Sequence, residues 1–257
     1  MTVPWWQSPM APYDLESTGV NVRKDRIVTG YVGLLRPRDP GTPWDVSTHT
    51  SVLVNPGVPI HPKATEKHGI TDEYAQRHGA DPAEGVYSIA ESISQCLLAR
   101  VPVVVFNGSF DFSMLHYESL RHGIQTVAER LDVADLASMI DPKRYGPIID
   151  AHVLDKQVDP YRKGSKTLEA TAAHYQVKLE GAHDAAFDAL AAARIVYRIA
   201  KTYPSIGDMD IWDLHAWQIR WRASQSASLQ AFFRRTNPQA VVDPCWPLCL
   251  DPTHEEA

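Results

Sequence analysis

Cysteine is scarce in this chain, and its three copies, Cys96, Cys245 and Cys249, form no CxxC pair. An odd count without paired spacing excludes a disulfide framework and reads as reduced thiols in an intracellular protein. Cys245 and Cys249, with His254 nearby, could supply part of a zinc site, but the proline-rich tail around them makes free thiols the simpler reading. Long apolar runs are missing too, so no membrane span is expected. The opening MTVPWWQSPMAP has neither a basic start nor an apolar h-region, which leaves the cytoplasm as the expected compartment. Positive charge is in short supply: the net charge is −6 with histidines neutral. That excludes a nonspecific basic coat for nucleic acid and leaves at most a local basic groove. An acidic enzyme can still process nucleic acid where metal ions neutralise its site. Internal repeats and low-complexity tracts are absent.

What is present is a hydrophobic content of 44% over 257 residues, enough for one large domain or an ordinary domain with an appendage. Three strands joined by short connections, the second at 26–35 and the third at 47–55, predict an antiparallel meander. Short helical pieces follow over 62–78, with Thr71 as an N-cap, and a longer helix runs from Asp81-Pro82 to Arg100. The apolar run 101–106 predicts a strand buried on both faces, followed by a helix over 110–122. Residues 126–147 read as loop with a helical turn at 136–140, and 148–150 as a short buried strand. Thr167 caps a helix to about Tyr175, and an alanine-rich helix follows His183-Asp184 and runs to Lys201. Strands alternating with helices after a meander indicate an α/β class. Over 210–235, Ile211, Leu214, Trp217 or Gln218, Trp221, Leu229 and Phe232 share one helical stripe, with Arg220, Arg222, Arg234 and Arg235 beside or beyond it. Such a helix must dock, either back on its own domain or on a nucleic-acid strand or partner protein.

The first strand contains Tyr13-Asp14-Leu15-Glu16-Ser17-Thr18-Gly19. Residues i and i+2 of a strand share a face, so Asp14 and Glu16 present two carboxylates side by side while Leu15 turns inward. Adjacent anions repel unless a cation lies between them, and hard divalent ions such as Mg²⁺ or Mn²⁺ prefer oxygen ligands. An exposed acidic edge is the other reading of such a triplet. Asn107-Gly108-Ser109-Phe110-Asp111 follows the buried strand and opens a helix, which puts Asp111 where α/β folds place their sites; a capping role is its alternative. In His183-Asp184-Ala185-Ala186-Phe187-Asp188, Asp188 lies within the helix and His183 at its entrance, where surface or capping histidines are also common. Together, Asp14, Glu16, Asp111 and Asp188 supply four carboxylates with one histidine at the edge. Such a set can hold two divalent ions about 4 Å apart, which stabilise the attacking and leaving oxygens of an in-line displacement at phosphorus. Imidazole titrates near ~6.5 in water, so His183 is the candidate base that takes a proton from the nucleophilic water. The chemistry indicated is metal-dependent phosphodiester hydrolysis.

D-L-E-S-T-G, N-x-x-F-D and H-D-x-x-x-D, in this order and on these elements, resemble the three motifs of the DEDDh 3′–5′ exonucleases. That group includes the proofreading epsilon subunit of bacterial DNA polymerase III. The resemblance covers roughly residues 8–201, and its motifs, weak singly, are specific in combination. It implies an RNase H-like fold with a mixed central sheet flanked by helices: an exonuclease domain over 8–203, then a C-terminal helical extension over 204–236 and an irregular tail over 237–257. It also implies release of nucleoside 5′-monophosphates from a DNA 3′ end, with Asp14, Glu16, Asp111 and Asp188 holding two Mg²⁺ or Mn²⁺ ions and His183 as general base. By the same resemblance Ser17 and Thr18 lie beside the terminal 3′-hydroxyl, Val20 packs near the last base, and His68, Gly69 and Ile70 approach the strand. Asn107 and Phe110 support the second motif. Ser17 stands where threonine is commoner and keeps the hydroxyl, while Val20 is a smaller wedge than the usual Leu or Met. Asp150, after its short strand, reads as structural. The implied partners are a nucleic-acid 3′ end, single-stranded DNA ahead of RNA, and a DNA polymerase or other replication protein; no membrane is involved. An RNA or oligoribonucleotide trimmer is the close alternative, separated by whether the pocket accepts a 2′-hydroxyl. A non-catalytic nucleic-acid-binding module associated with a polymerase is the other, and the presence of every ligand type expected for catalysis counts against it.

Overall fold

The computed structural model describes residues 3–37, 44–133, 144–179 and 183–250; the turn expected at 136–140 and His254 lie outside them. After a 3-10 turn at Trp5–Gln7, β1 (Ala11–Ser17), β2 (Ile27–Arg36) and β3 (Asp45–Leu53) form the expected antiparallel meander. Next come α1 (Pro62–His68), α2 (Asp72–His78) and α3 (Pro82–Leu98), then β4 (Val103–Val105), α4 (Ser109–Arg121) and α5 (Val127–Arg130). Strand β5 (Ile148–Asp150) is followed by α6 (Ala151–Val158), α7 (Leu168–His174), α8 (Ala185–Thr202), α9 (Pro204–Gly207) and α10 (Ile211–Phe233). The strand order is β3-β2-β1-β4-β5, with β4 parallel to β1 and β5 parallel to β4. This is a mixed, open sheet with β1 at its centre.

Local chemistry sets the helix starts. Thr71, Asp81, Thr167, Asp184 and Asp210 each cap a helix by accepting backbone N–H bonds in its first turn. Gly69 ends α1 at φ 75°, a left-handed conformation that glycine adopts without a Cβ clash. The two faces of the sheet follow the strand alternation. Tyr13, Leu15, Val103, Val105 and Ile148 pack with α3 and α4 on one side. Met10, Val104 and Ile149 pack with α6, α7 and α8 on the other. Asp14 and Glu16, being even-numbered, therefore lie on the α8 side. Ala189, Ala192, Ala193 and Ala200 of α8 are buried, and their small side chains let the helix lie close over β1 and β2.

Helix α10 docks on its own domain at the sheet's edge. His215 Nδ1 accepts the Ile148 N–H at 2.9 Å, Gln218 Oε1 accepts the Asp150 N–H at 2.7 Å, and Gln218 Nε2 donates to the Ile148 carbonyl at 3.0 Å. Two side chains thus occupy the backbone groups that a further strand would have paired, which closes an otherwise open edge. The stripe accordingly takes Gln218, fully buried, in place of Trp217, which is 42% exposed. The irregular stretch after α10 is anchored too: Trp246 and Leu248 enter the first core, and the Cys249 N–H bonds to Ser113 Oγ at 2.9 Å. Among the described residues no helix is long and apolar enough to cross a membrane.

Residues 151–158, which lie outside every expected element, form α6 because Asp150 caps them. Within α6, buried Asp155 accepts from Arg162 Nη2 at 2.9 Å, Lys166 Nζ at 3.1 Å and the Tyr175 hydroxyl at 3.1 Å. Burial pushes its carboxyl up, but the Arg162 and Lys166 bonds outweigh burial and hold it below the usual range. A depressed acid contributes its stability above the unfolded pKa of ~3.9 and loses it as pH falls through the lower folded value. Asp155→Ala should cost about 3–5 kcal/mol at neutral pH by stranding two cations, read by urea melts. A loss that stays the same at pH 3 as at pH 7 would contradict this account.

Candidate active site

The acidic residues of the three motifs converge at one end of β1. Asp14 and Glu16 pair across to Tyr31 and Thr29 of β2, and the register breaks between Glu16 and Ser17. A bulge there re-aims the strand end. Ser17 and Thr18 then build the following loop. The Ser17 hydroxyl donates to the Gly19 carbonyl at 2.6 Å; Thr18 Oγ1 donates to Asp25 at 3.1 Å and accepts the Arg26 N–H at 2.9 Å. Val20, 65% exposed, stands out from this loop.

The second motif is folded by β5 as much as by its own residues. Asn107 takes φ 65°, tolerable for asparagine, and a Cβ at Gly108 would overlap Val105. Asp150 accepts the Asn107 N–H at 2.9 Å and the Gly108 N–H at 3.0 Å, along with the Trp246 indole N–H at 3.0 Å. The Tyr13 hydroxyl donates to the Asp111 carbonyl at 3.2 Å, tying β1 to α4. Asp111 is thereby held, buried, in the first turn of α4.

In the third motif His183 takes φ 67° just ahead of the α8 cap, and its N–H bonds to Asp188 Oδ2 at 3.3 Å. Ligand atoms of Glu16, His183 and Asp188 lie within 4.8 Å of one another. His183 Nε2 is 3.5 Å from Glu169 Oε1. His183 Nδ1 and Asp188 Oδ1 are buried without a hydrogen-bond partner.

The electrostatics report crowding. Burial, then the charges of Asp111, Glu16 and Asp188, push Asp14 well above the usual carboxylate range, against some relief from Lys67. Asp111 is raised well above it by burial, with Asp150 and Glu16 adding to the effect and backbone N–H bonds opposing it. Burial, with Asp188 and Asp184, lifts Glu16 to about 7, and burial raises Asp188. Four mutually repelling carboxyls, an orphaned Asp188 oxygen and a neighbouring imidazole form an oxygen-rich donor set that fits hard divalent ions.

All five candidate metal and base residues are thus in one place. His68 is drawn in by α1: its Nδ1 accepts the Ile70 N–H at 3.1 Å, and burial lowers its pKa, with His183 near enough to add to the effect. Ile70 packs instead on the small cluster of Val28, Ile60 and Ala75. Asn107 and Phe110 line a cavity with Val20. Two residues escaped sequence reasoning. Lys67, beside His68, lowers the pKa of Asp14 and Glu16, and Glu169 meets His183 from α7; neither carries a local motif. Asp243, Cys245 and Cys249 form a second cluster with ligand atoms within 4.8 Å, and the three cysteines are free thiols.

The Exonuclease family matches residues 12–196, which take in all three acidic segments. The PolC-type DNA polymerase III of Streptococcus sanguinis (strain SK36) is 27% identical over 189 residues, 74% of this chain and 11% of the polymerase. E. coli Exonuclease I in complex with a dT13 oligonucleotide aligns with a TM-score of 0.57 at 18% identity, covering 79% of this chain and 43% of that one. Exonuclease I from Methylocaldum szegediense gives a TM-score of 0.57 at 19% identity, over 88% of this chain and 46% of its own. The chain therefore spans under half of each Exonuclease I chain and a small part of the polymerase. At such identities the structural likeness is one of fold: the mixed five-stranded sheet between helices is RNase H-like.

Proposed function

We infer that this chain, which belongs to the exonuclease family, hydrolyses phosphodiester bonds from the 3′ end of a DNA strand and releases nucleoside 5′-monophosphates. The observation that carries this reading is the convergence of Asp14, Glu16, Asp111 and Asp188, from three distant segments, into a cluster whose carboxyls raise one another's pKa. Such a cluster costs stability and makes sense as a cation site. Asp14, Glu16, Asp111 and Asp188 would hold two Mg²⁺ or Mn²⁺ ions, which supply neutralisation of charge building on the phosphoryl oxygens.

The chain's own residues do the rest. His183 takes the proton of the attacking water, and Glu169 at 3.5 Å orients its ring. Lys67 adds a positive charge at the rim, where a phosphate of the substrate approaches. Val20 and Phe110 flank the terminal nucleotide, with Ser17 and Thr18 shaping the loop beside its 3′-hydroxyl. The polymerase named among the relatives supports a replication partner, and the dT13 oligonucleotide bound by Exonuclease I supports single-stranded DNA as the substrate.

The test is product analysis of 5′-labelled DNA and RNA oligonucleotides with Mg²⁺, Mn²⁺ or chelator, with Asp14→Ala as the blank. A metal-dependent ladder shortening from the 3′ end is expected, stronger on DNA. A stronger ladder on RNA would move the substrate to RNA, and no ladder from folded protein would leave a binding module. His183→Ala should keep metal binding and slow the chemical step by ~10²-fold or more. An unchanged single-turnover rate would remove His183 from the mechanism.

A further inference from the structure

Between the active-site loops and the C-terminal extension lies a cavity of about 840 Å³, lined by Val20, Arg23 and Lys24 after β1, by Asn107 and Phe110, and by Arg222 of α10. A smaller cavity of about 200 Å³ shares Asn107 and Arg222 with it and adds His152, Lys156 and Gln225. Three buried polar atoms on these residues have no partner: Arg222 Nε, His152 Nδ1 and Gln225 Oε1. Buried polar atoms are rarely left so, and each needs a reason.

The charge balance here is positive. Burial, then Arg222, lowers the pKa of the Lys156 ammonium. Burial, followed by Lys156 and with Arg222 contributing, drives His152 down to about 4, so its imidazole is neutral at neutral pH. Asp150 and Asp155 oppose these shifts in part, but their oxygens are taken up by other donors. Asp150 accepts from Asn107, Gly108, His152, Val153 and Trp246, and Asp155 from Arg162, Lys166 and Tyr175. Asp243 lines the larger cavity. The other arginines of the extension are accounted for locally. Arg220 lies 4.8 Å over the Trp217 ring, Arg235 4.2 Å over Phe232, and Arg234 donates to the Ala240 carbonyl at 2.8 Å. Of these four, Arg222 alone lines the cavities.

We propose that Arg222 and Lys156 form a phosphate subsite that grips the backbone of the substrate strand upstream of the nucleotide being removed, making the C-terminal extension part of the nucleic-acid interface. The identity of the strand rests on the exonuclease reading above. Four features favour this occupant. The larger cavity opens from Asn107 and Phe110 of the second motif and the smaller one shares Asn107 with it, so they continue the path of a strand whose end lies at the carboxylates. In a chain of net charge −6 two half-buried cations lining one cavity are an exception that attracts an anion. The smaller cavity is lined mainly by polar and cationic side chains, among them Lys156, Arg222 and Gln225, which suits a phosphate with bridging waters better than a base; those waters can satisfy Gln225 Oε1. Phe110 and Phe233, both on the larger cavity, offer rings on which bases can stack.

The test is equilibrium binding of fluorescein-labelled thymidine oligonucleotides, two and ten nucleotides long, to the full chain carrying Asp188→Asn so that they stay intact. Arg222→Gln should weaken binding of the longer strand roughly tenfold and reduce its log–log salt slope by about 0.7, while the dinucleotide is bound as before. Lys156→Gln should act in the same direction, and it removes a repulsion, so its fold is safe. Arg198→Gln, an equal change of charge on the exposed side of α8, should change neither quantity. An unchanged slope in both cavity variants, or an equal loss on both lengths, overturns the subsite. Cleavage of the longer strand by the unaltered protein is read in parallel. Its absence overturns the exonuclease reading, and the binding comparison still decides the subsite by itself.

Discussion

Asp14→Asn should abolish metal-dependent cleavage and, in chelator at pH 8, raise the melting temperature. The two effects share one cause. Without cations, Asp14 repels Asp111, Glu16 and Asp188, and burial sharpens the repulsion. An acid whose folded pKa is raised contributes stability that is complete below its unfolded value of ~4 and is lost as pH rises through the folded value. Glu16 marks the window, since it titrates at about 7. The metal-free protein is therefore expected to lose stability between about pH 4 and 8. Replacing one carboxyl with an amide returns about 1–2 kcal/mol, which for a chain of this size is a rise of roughly 2–4 °C per kcal/mol. Adding Mg²⁺ should reverse the order, because an ion held at the proposed site would bind only the folded chain and stabilise it by mass action. Thermal melts at pH 5 and pH 8, with chelator and with Mg²⁺, check all four corners. A variant less stable than the native chain in chelator at pH 8 would show that Asp14 is held by something other than cations.

Much of this was legible because its causes are local. Alternation and β-branching mark β1 to β3, continuous burial marks β4 and β5, and single side chains such as Thr71 and Thr167 mark helix starts. Two carboxylates separated by Leu15 fall on one face because strand geometry leaves no alternative. What stayed hidden is set by contacts far apart in sequence. Gln218 is buried because β5 has unpaired backbone groups at the sheet's edge, which no helical periodicity can report. Helix α6 starts at a strand's last residue, so its cap, Asp150, was already assigned to β5. Lys67 and Glu169 reach the site only through the placement of α1 and α7. Lys156 and Arg222 lie more than sixty residues apart in sequence, and their shared cavity exists only once α10 has docked.

Asp150→Ala should be the most disruptive single change outside the carboxylate cluster, lowering both stability and turnover. Asp150 is 1% exposed and accepts five hydrogen bonds. Oδ1 takes the N–H groups of Asn107, His152 and Val153; Oδ2 takes those of Gly108 and the Trp246 indole. Truncation leaves these donors buried and unpaired, at about 1–3 kcal/mol for each that finds no water, for a total near ~4 kcal/mol. It also frees the Asn107-Gly108 turn that sets Asp111 at the head of α4, so the Asp111 carboxyl should drift from the place proposed for it at the cation site. Asp150→Asn offers no rescue: whichever way the amide turns, its NH₂ faces N–H donors. Both variants should therefore show raised apparent metal dissociation constants and lower turnover at saturating oligonucleotide. Asp155→Ala separates this effect from plain instability, since it loosens α6 and α7 without touching the Asn107-Gly108 turn. Equal metal affinities in the Asp150 and Asp155 variants, at matched stability, would show that Asp150 only holds the fold.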